Sequence, residues 1–425
     1  MTEILIENGL MINPLTREER VTNILLGEGR IQAIRPGLKP KKGVEVIAAD
    51  GLMVLPGLID MHCHLREPGG EHKETIQSGT QSAAAGGFTS LVCMANTDPV
   101  NDTAAVTRFI QAQIEREAVV NVFPVGAATR GLEGKALAAI GEMADYGIVA
   151  VSDDGHCITD AGVMRKVMEY AKSFGLPVIV HAEDPAFAGY PGVHEGAVAT
   201  QLGLHGSPQA AEAVMVARDC EIAALTRARL HIAHVSTAAS LDYIRTARNR
   251  GVMVTCEVTP HHLLLTDEEL LGFNSDAKVN PPLRPASDRQ ALVAALKEGL
   301  IDVIATDHAP HSPMEKEVPF ACAAPGLIGL ECAFALVWTL AREIGMATAD
   351  LLASLTSHPA RILGLDRKGR IEVGADADLV LFDPEARWVI TPEHFHSKSR
   401  NTPFAGRGVT GQVLKTIVGG EIVYE

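Results

Sequence analysis

Hydrophobic positions along this chain fall into two rhythms: short β-branched runs that stop at polar or glycine-containing turns, and longer Ala-rich stretches with the three-to-four-residue spacing of helices. In the central part, eight of the short runs read as strands, ending near His62, Met94, Gly126, Ser152, His181, His234, Val258 and Thr306. Helical pattern separates most of them, as over 75–85, 163–174 and 210–228. Eight strand-and-helix alternations predict an α/β fold, a (β/α)8 TIM barrel. An open doubly wound sheet is the alternative, but no glycine-rich phosphate loop accompanies the first strand.

The two ends of the chain are patterned differently. Short β-rich segments at 3–7, 23–26, 30–34 and 44–48 open it, and 374–383 and 411–424 have the same character near its other end. Neither set supplies enough strands for a stable sheet, so the two are expected to combine into one small β-sandwich flanking the barrel. The predicted organisation is 1–54 for the N-terminal part of the sandwich, 55–365 for the barrel and 366–425 for the C-terminal part.

Composition narrows the partners. Hydrophobic residues make up 47% and aromatics 4%, with 39 Gly, a profile that suits a packed α/β protein. A formal net charge of -15 without a long basic run disfavours nucleic acid and leaves small metabolites. No apolar stretch approaches a membrane span, and the start lacks a basic region followed by an apolar one, so a cytoplasmic protein is expected. The 7 cysteines are scattered without a CxxC pair, so they indicate neither a disulfide framework nor a cysteine zinc knuckle.

Candidate chemistry sits where the predicted strands end. Asp60-Met61-His62-Cys63-His64-Leu65-Arg66 places an HxH at the end of the apolar run 52–59. Strand alternation puts His62 and His64 on one side, with Met61 and Cys63 on the other. Asp153-Asp154-Gly155, His181-Ala182-Glu183-Asp184, His231-Ile232-Ala233-His234 and Thr306-Asp307-His308-Ala309-Pro310-His311 follow at later strand ends. An isolated HxH is as often a pair of satisfied histidines as a metal site. Imidazoles and carboxylates at the ends of several strands are what a metal centre at the carboxyl-terminal mouth of a parallel barrel requires.

With His62, His64, Asp154, His181, His234 and Asp307, the chain resembles the amidohydrolase superfamily, whose members hold one or two metal ions in a (β/α)8 barrel. The closer resemblance is to the class I dihydroorotases. It rests on the run from His62 to Gly69, Met94-Ala95-Asn96-Thr97, Asp153-Asp154-Gly155, Val279-Asn280-Pro281-Pro282-Leu283-Arg284 and the run from Thr306 to His311, in that order. It implies His62 and His64 on one metal, His181 and His234 on the other, Asp154 between them and Asp307 on the first. The resemblance thus implies two ions per chain; the thiolate-free donor set suits zinc, the metal expected here, though manganese or cobalt could substitute. Many relatives, the dihydropyrimidinases, hydantoinases and allantoinases among them, bridge their metals with a carboxylated lysine after the fourth strand. Here 149–155 offers only the two aspartates, and the second, Asp154, is expected to bridge.

The resemblance further implies reversible closure of N-carbamoyl-L-aspartate to L-dihydroorotate, a step of pyrimidine (UMP) biosynthesis. Asp307 is expected to carry the proton between the attacking water and the ring nitrogen. Arg66, Asn96 and His311 are expected to recognise the substrate carboxylate, with His64, Leu65, Asn280, Pro325 and Gly326 lining the same site. The stretch 311–326 reads as a loop able to close over the substrate. His231, by alternation, should point away from His234 and be structural, and His261 and His262 match no ligand position. Two other readings compete: a cyclic amidohydrolase acting on hydantoin, dihydropyrimidine or allantoin, and a non-catalytic subunit that scaffolds aspartate carbamoyltransferase. The missing lysine argues against the first, and the intact ligand set against the second. A homodimer is the default assembly, with aspartate carbamoyltransferase as a partner that the resemblance allows.

Overall fold

Glycine punctuates the first core strand. The apolar run at 52–59 breaks at Gly57 into β5 (Met53–Pro56) and β6 (Leu58–Cys63), which belong to different sheets. A Cβ on Gly57 would stand 2.0 Å from the Thr89 hydroxyl, so only glycine lets the chain pass this close to its neighbour. The structure is a computed structural model that describes residues 3–425 apart from 41 and 188.

Beyond β6 come β7 (Phe88–Cys93), β8 (Asn121–Pro124), β9 (Val151–Ser152), β10 (Val178–Val180), β11 (Leu230–Ile232), β12 (Val254–Val258) and β13 (Val303–Ile304). All pair in parallel, in one arc β6-β7-β8 and a second β9-β10-β11-β12-β13. The arcs meet at both ends. Gly126 bridges to Val151, Cys63 bridges to His308, and the His64 amide donates to the His308 carbonyl at 2.8 Å. The strand order is therefore cyclic.

Every strand but β12 contributes to one interior cluster, from within it or from the residue next to its end: Ile59 and Met61, Val92 and Met94, Val125, Ala150, Ile179, Ala233, Val303 and Ala305. Burying each of the larger ones contributes roughly 1.5–3 kcal/mol, which makes this layer a firm floor beneath the strand ends. Simple alternation is wrong about Met61, which joins the interior instead of facing outward. The pairing of β6 with β7 shifts register between Asp60 and Cys63, and that irregularity lets Met61 and His62 both serve the inside. Cys63 donates to the Val92 carbonyl within the outer core.

The terminal segments do join. Strands β1 (Ile4–Asn13), β2 (Glu18–Gly27), β3 (Arg30–Ile34) and β4 (Glu45–Ala48) form a mixed sheet with β5, β14 (Leu379–Val389), β15 (Gly408–Val418) and β16 (Glu421–Tyr424). Its own core gathers Ile6, Met11, Ile24, Leu26, Ile47, Leu379, Leu381 and Ile417. β1 and β2 outrun the expected 3–7 and 23–26, because Asn8-Gly9 is not a turn. Asn8 adopts φ 59° and the β1–β2 register shifts between Ile6 and Gly9, so the strand continues through a bulge. The connection from β14 to β15 leaves this sheet and returns to the strand ends, where Asn401 touches residues after β13.

Candidate active site

The expected metal ligands converge. His62 and His64 come from the end of β6, Asp154 from just after β9, His181 from just after β10, and His234 two residues beyond β11. His62 Nε2 lies 3.2 Å from Asp154 Oδ1 and His64 Nε2 3.5 Å from Asp154 Oδ2. The Oδ1 that faces His62 also has His234 Nε2 at 3.6 Å and His181 Nδ1 at 3.8 Å. Two possible ligand trios result, His62-His64-Asp154 and Asp154-His181-His234, with Asp154 in both. Asp307 Oδ1 sits 3.2 Å from His64 Nε2 and 3.6 Å from His62 Nε2.

Those donor atoms are poorly satisfied by protein alone. His62 Nε2 and Asp154 Oδ1 are buried without a hydrogen-bond partner, facing each other. Leaving such groups unpaired is costly, whereas a divalent cation would take both. Burial acts to raise Asp154, but the imidazoles of His62, His234 and His64 override it and hold the carboxyl well below its ordinary range. His62 is the converse: burial acts to lower it, while Asp154, Glu257 and Asp307 hold it well above the usual imidazole value.

Each ring is oriented from behind. His62 Nδ1–H donates to Glu257 Oε1 at 2.7 Å, which fixes the tautomer that leaves Nε2 free to ligate. Glu257 lies on β12, fully buried, and its other oxygen accepts from His231 Nε2 at 3.0 Å. His231 Nδ1 in turn accepts from the Thr255 hydroxyl at 2.8 Å. His231 is therefore turned inward to this chain, contrary to simple alternation. β11 ends at Ile232 and His234 takes φ 32°, so the two histidines do not obey one strand's period. Glu257 was not anticipated from sequence; a single charged residue in a short β-branched strand (Val254–Val258) was the available signal. We expect Glu257→Gln to lower metal affinity by about 10–100-fold, read by competition with a chromophoric chelator; an unchanged affinity would make Glu257 a packing residue only.

His64 Nδ1–H donates to the Asn96 side-chain Oδ1 at 2.9 Å. The Asn280 amide donates to Glu183 at 2.9 Å and lies 3.2 Å from His181 Nε2. Asp153 faces elsewhere, accepting from the Ala128 and Thr129 amides at 2.9 and 2.8 Å and from the Thr129 hydroxyl. His262 is held between Thr259 and the Pro281 carbonyl, and both nitrogens of buried His261 lack a partner.

Above the cluster lies a cavity of about 250 Å³ bordered by His64, Arg66, Asn96, Asn280, His311, Pro325 and Gly326, with Asp154, His181, His234 and Asp307 at its base. Gly155 and Ala309, unforeseen from sequence, complete the wall. Leu65 is the exception among the expected substrate residues. Its side chain packs into the main core against the helix Ile76–Ala85, where a Cβ on Gly79 would stand 2.5 Å from it.

Arg66 carries the cavity's positive charge. Its Nε donates to the Pro310 carbonyl at 3.2 Å, and among the described residues no carboxylate lies within ion-pair distance. Burial lowers its pKa, partly offset by the more distant Asp307 and Glu315 carboxylates. His311 is neutral, pushed down to about 3 by burial and then by the Arg66 cation. Its Nε2–H donates to the Pro325 carbonyl at 3.0 Å. The 311–326 loop is tied down by two buried ammonium groups. Lys316 donates to the Ser275, Ala324 and Gly326 carbonyls, and Lys278 to those of Phe320, Ala321 and Ala323.

Parallel strands in cyclic order carry a buried histidine and carboxylate cluster at their carboxyl ends, an arrangement able to hold metal ions. Residues 53–423 match the Amidohydrolase family, and the chain belongs to that family. Within it the sequence lies among the dihydroorotases. It is 49% identical over 422 residues to the dihydroorotase of Geobacter metallireducens, covering 99% of each chain. The dihydroorotase of Anaeromyxobacter dehalogenans is 46% identical over 428 residues, covering 100% of this chain and 99% of the relative. In three dimensions it is similar to the L-hydantoinase (dihydropyrimidinase) of Arthrobacter aurescens, with a TM-score of 0.90 at 25% identity, over 100% of this chain and 96% of the other. A D-hydantoinase (dihydropyrimidinase) from Thermus sp. superposes with a TM-score of 0.86 at 25% identity, over 99% and 95%. No helix among the described residues is long and apolar enough to cross a membrane.

Proposed function

We propose that this chain is a zinc-dependent enzyme that interconverts N-carbamoyl-L-aspartate and L-dihydroorotate. The observation that carries the substrate is Arg66, a partly buried guanidinium on the cavity wall without a carboxylate partner among the described residues, beside a cluster suited to cations. Dihydroorotate brings the carboxylate that Arg66 lacks; hydantoin and dihydrouracil do not. The cyclic strand order is read as a (β/α)8 barrel over 55–365, and the single mixed sheet to which 1–54 and 366–425 contribute as a small β-sandwich folded from one continuous sheet. His62, His64 and Asp307 would hold one zinc, His181 and His234 the other, with Asp154 shared. When bound, the ions would supply an acidified water and polarise the ring carbonyl.

The chain's own residues do the rest. Arg66, aided by Asn96 and by His311 once its ring turns from the Pro325 carbonyl, binds the carboxylate and fixes the ring against the cluster. Asp307 Oδ1 accepts the proton of the attacking water and returns it to the ring nitrogen as the amide bond opens. Cyclisation is the same path in reverse. Asn280, His64 and the Pro325-Gly326 backbone complete the wall.

The test is ring opening of L-dihydroorotate by the zinc-loaded chain, with hydantoin, dihydrouracil and allantoin in parallel and metal content measured on the same sample. Selective turnover of dihydroorotate is expected. Arg66→Ala should raise KM by about 10–100-fold, the worth of a charge-assisted hydrogen-bond pair. Turnover of a neutral ring, or an Arg66→Ala enzyme with unchanged kinetics, would remove the carboxylate assignment.

A further inference from the structure

Three pieces of the cavity wall meet at one amide side chain that comes from far along the chain. Asn401, in the connection between β14 and β15, is 5% exposed. Its Oδ1 accepts from the His311 backbone N–H at 3.1 Å. Its Nδ2 donates to the Gly326 carbonyl at 3.0 Å and to the Ala309 carbonyl at 3.3 Å. Only an amide supplies an acceptor and two donors from one short side chain. An aspartate would keep the acceptor and set a negative charge against two carbonyls.

We propose that Asn401 is a positioning residue for the substrate-carboxylate subsite, fixing His311 and the Pro325-Gly326 backbone at the separation the carboxylate requires. This rests on the dihydroorotate reading above. The spacing it governs is tight: a Cβ on Gly326 would stand 2.9 Å from Ala309 and 3.0 Å from the His311 ring. Small displacements of such a wall are felt as lost alignment of the bound ring. Asn401 has no direct contact with the metal-ligand cluster, so its effect should reach the substrate and spare the metals.

The local backbone is secured by other means, which separates this role from mere folding. The Ile328 amide donates to the Asn401 carbonyl at 2.9 Å, and nearby Phe404 is buried with Leu327 and Leu283 in an apolar cluster. Lys316 independently holds the Gly326 carbonyl at 2.9 Å. Removing the Asn401 side chain therefore leaves the segment anchored and the Gly326 carbonyl held by Lys316, while freeing the His311 edge of the cavity.

The experiment compares parent, Asn401→Ala and Asn401→Asp, each zinc-loaded, by steady-state ring opening, metal content, thermal melting and calorimetric titration with orotate, the planar carboxylate analogue. For both variants we expect KM and the orotate dissociation constant to rise together by about tenfold or more, with kcat within about threefold and metal content unchanged. KM within twofold of the parent overturns the proposal. So does a loss carried by kcat, by metal or by failure of both variants to fold, since each makes Asn401 structural. A parent inactive on dihydroorotate sinks the functional reading, and the positioning role with it, before any variant is compared.

Discussion

Asp307→Asn is expected to lower kcat for dihydroorotate ring opening by about 10³-fold or more, while metal content and orotate affinity stay near the parent's. The asymmetry follows from what the substitution changes. Asparagine is isosteric with aspartate and tolerates the left-handed backbone, φ 47°, that Asp307 adopts. The residue keeps its place beside His64, but the amide cannot take up a proton. In the parent, burial acts to raise Asp307, and the neighbouring His62 and His64 override it, holding the carboxyl far below its ordinary value. The carboxylate is therefore held in its ionised form by the imidazoles around it. Steady-state kinetics, metal analysis and orotate titration on one preparation decide the matter. A kcat within tenfold of the parent would take the proton carrier's role from Asp307; a fall that tracks lost metal would assign it to ligation alone.

What sequence pattern could and could not reveal divides along physical lines. The strand ends expected near His62, Met94, Gly126, Ser152, His181, His234, Val258 and Thr306 fall within two residues of those observed, because parallel strands buried on both faces leave uninterrupted apolar runs. The ligands were legible for the same reason: polar residues at the ends of such runs are conspicuous. Asn8-Gly9 misled because a bulge and a turn use the same residues, and only the partner strand distinguishes them. Met61 and His231 misled because strict alternation fails where register shifts or a strand ends. Glu257 and Asn401 were missed for a different reason. Each acts through partners many positions away, Glu257 on His62 and Asn401 on His311, and no local period encodes a contact that only the closed ring creates. Leu65 was carried along by its neighbours in the motif, yet its side chain belongs to the core behind them.

Asp154→Ala should abolish activity by stripping metal, and the adjacent Asp153 supplies the control. Asp154 is the one residue in both candidate trios, so its loss takes a ligand from each and removes the negative charge between two cations that would repel one another. On the proposed two-zinc reading, bound metal is expected to fall from two ions per chain to one or fewer, with catalysis down by about 10³-fold or more. Asp153→Ala should do the opposite. It keeps the ligands and gives up three hydrogen bonds to Ala128 and Thr129, destabilising the fold by about 1–3 kcal/mol, seen as a lower melting temperature at full metal content. Two consecutive carboxylates thus separate ligation from anchorage within one turn of chain. Metal analysis and melting curves for the pair settle which does which: zinc retained by Asp154→Ala but lost from Asp153→Ala would transfer the bridge to Asp153 and require the loop after β9 to turn by one residue when metal binds.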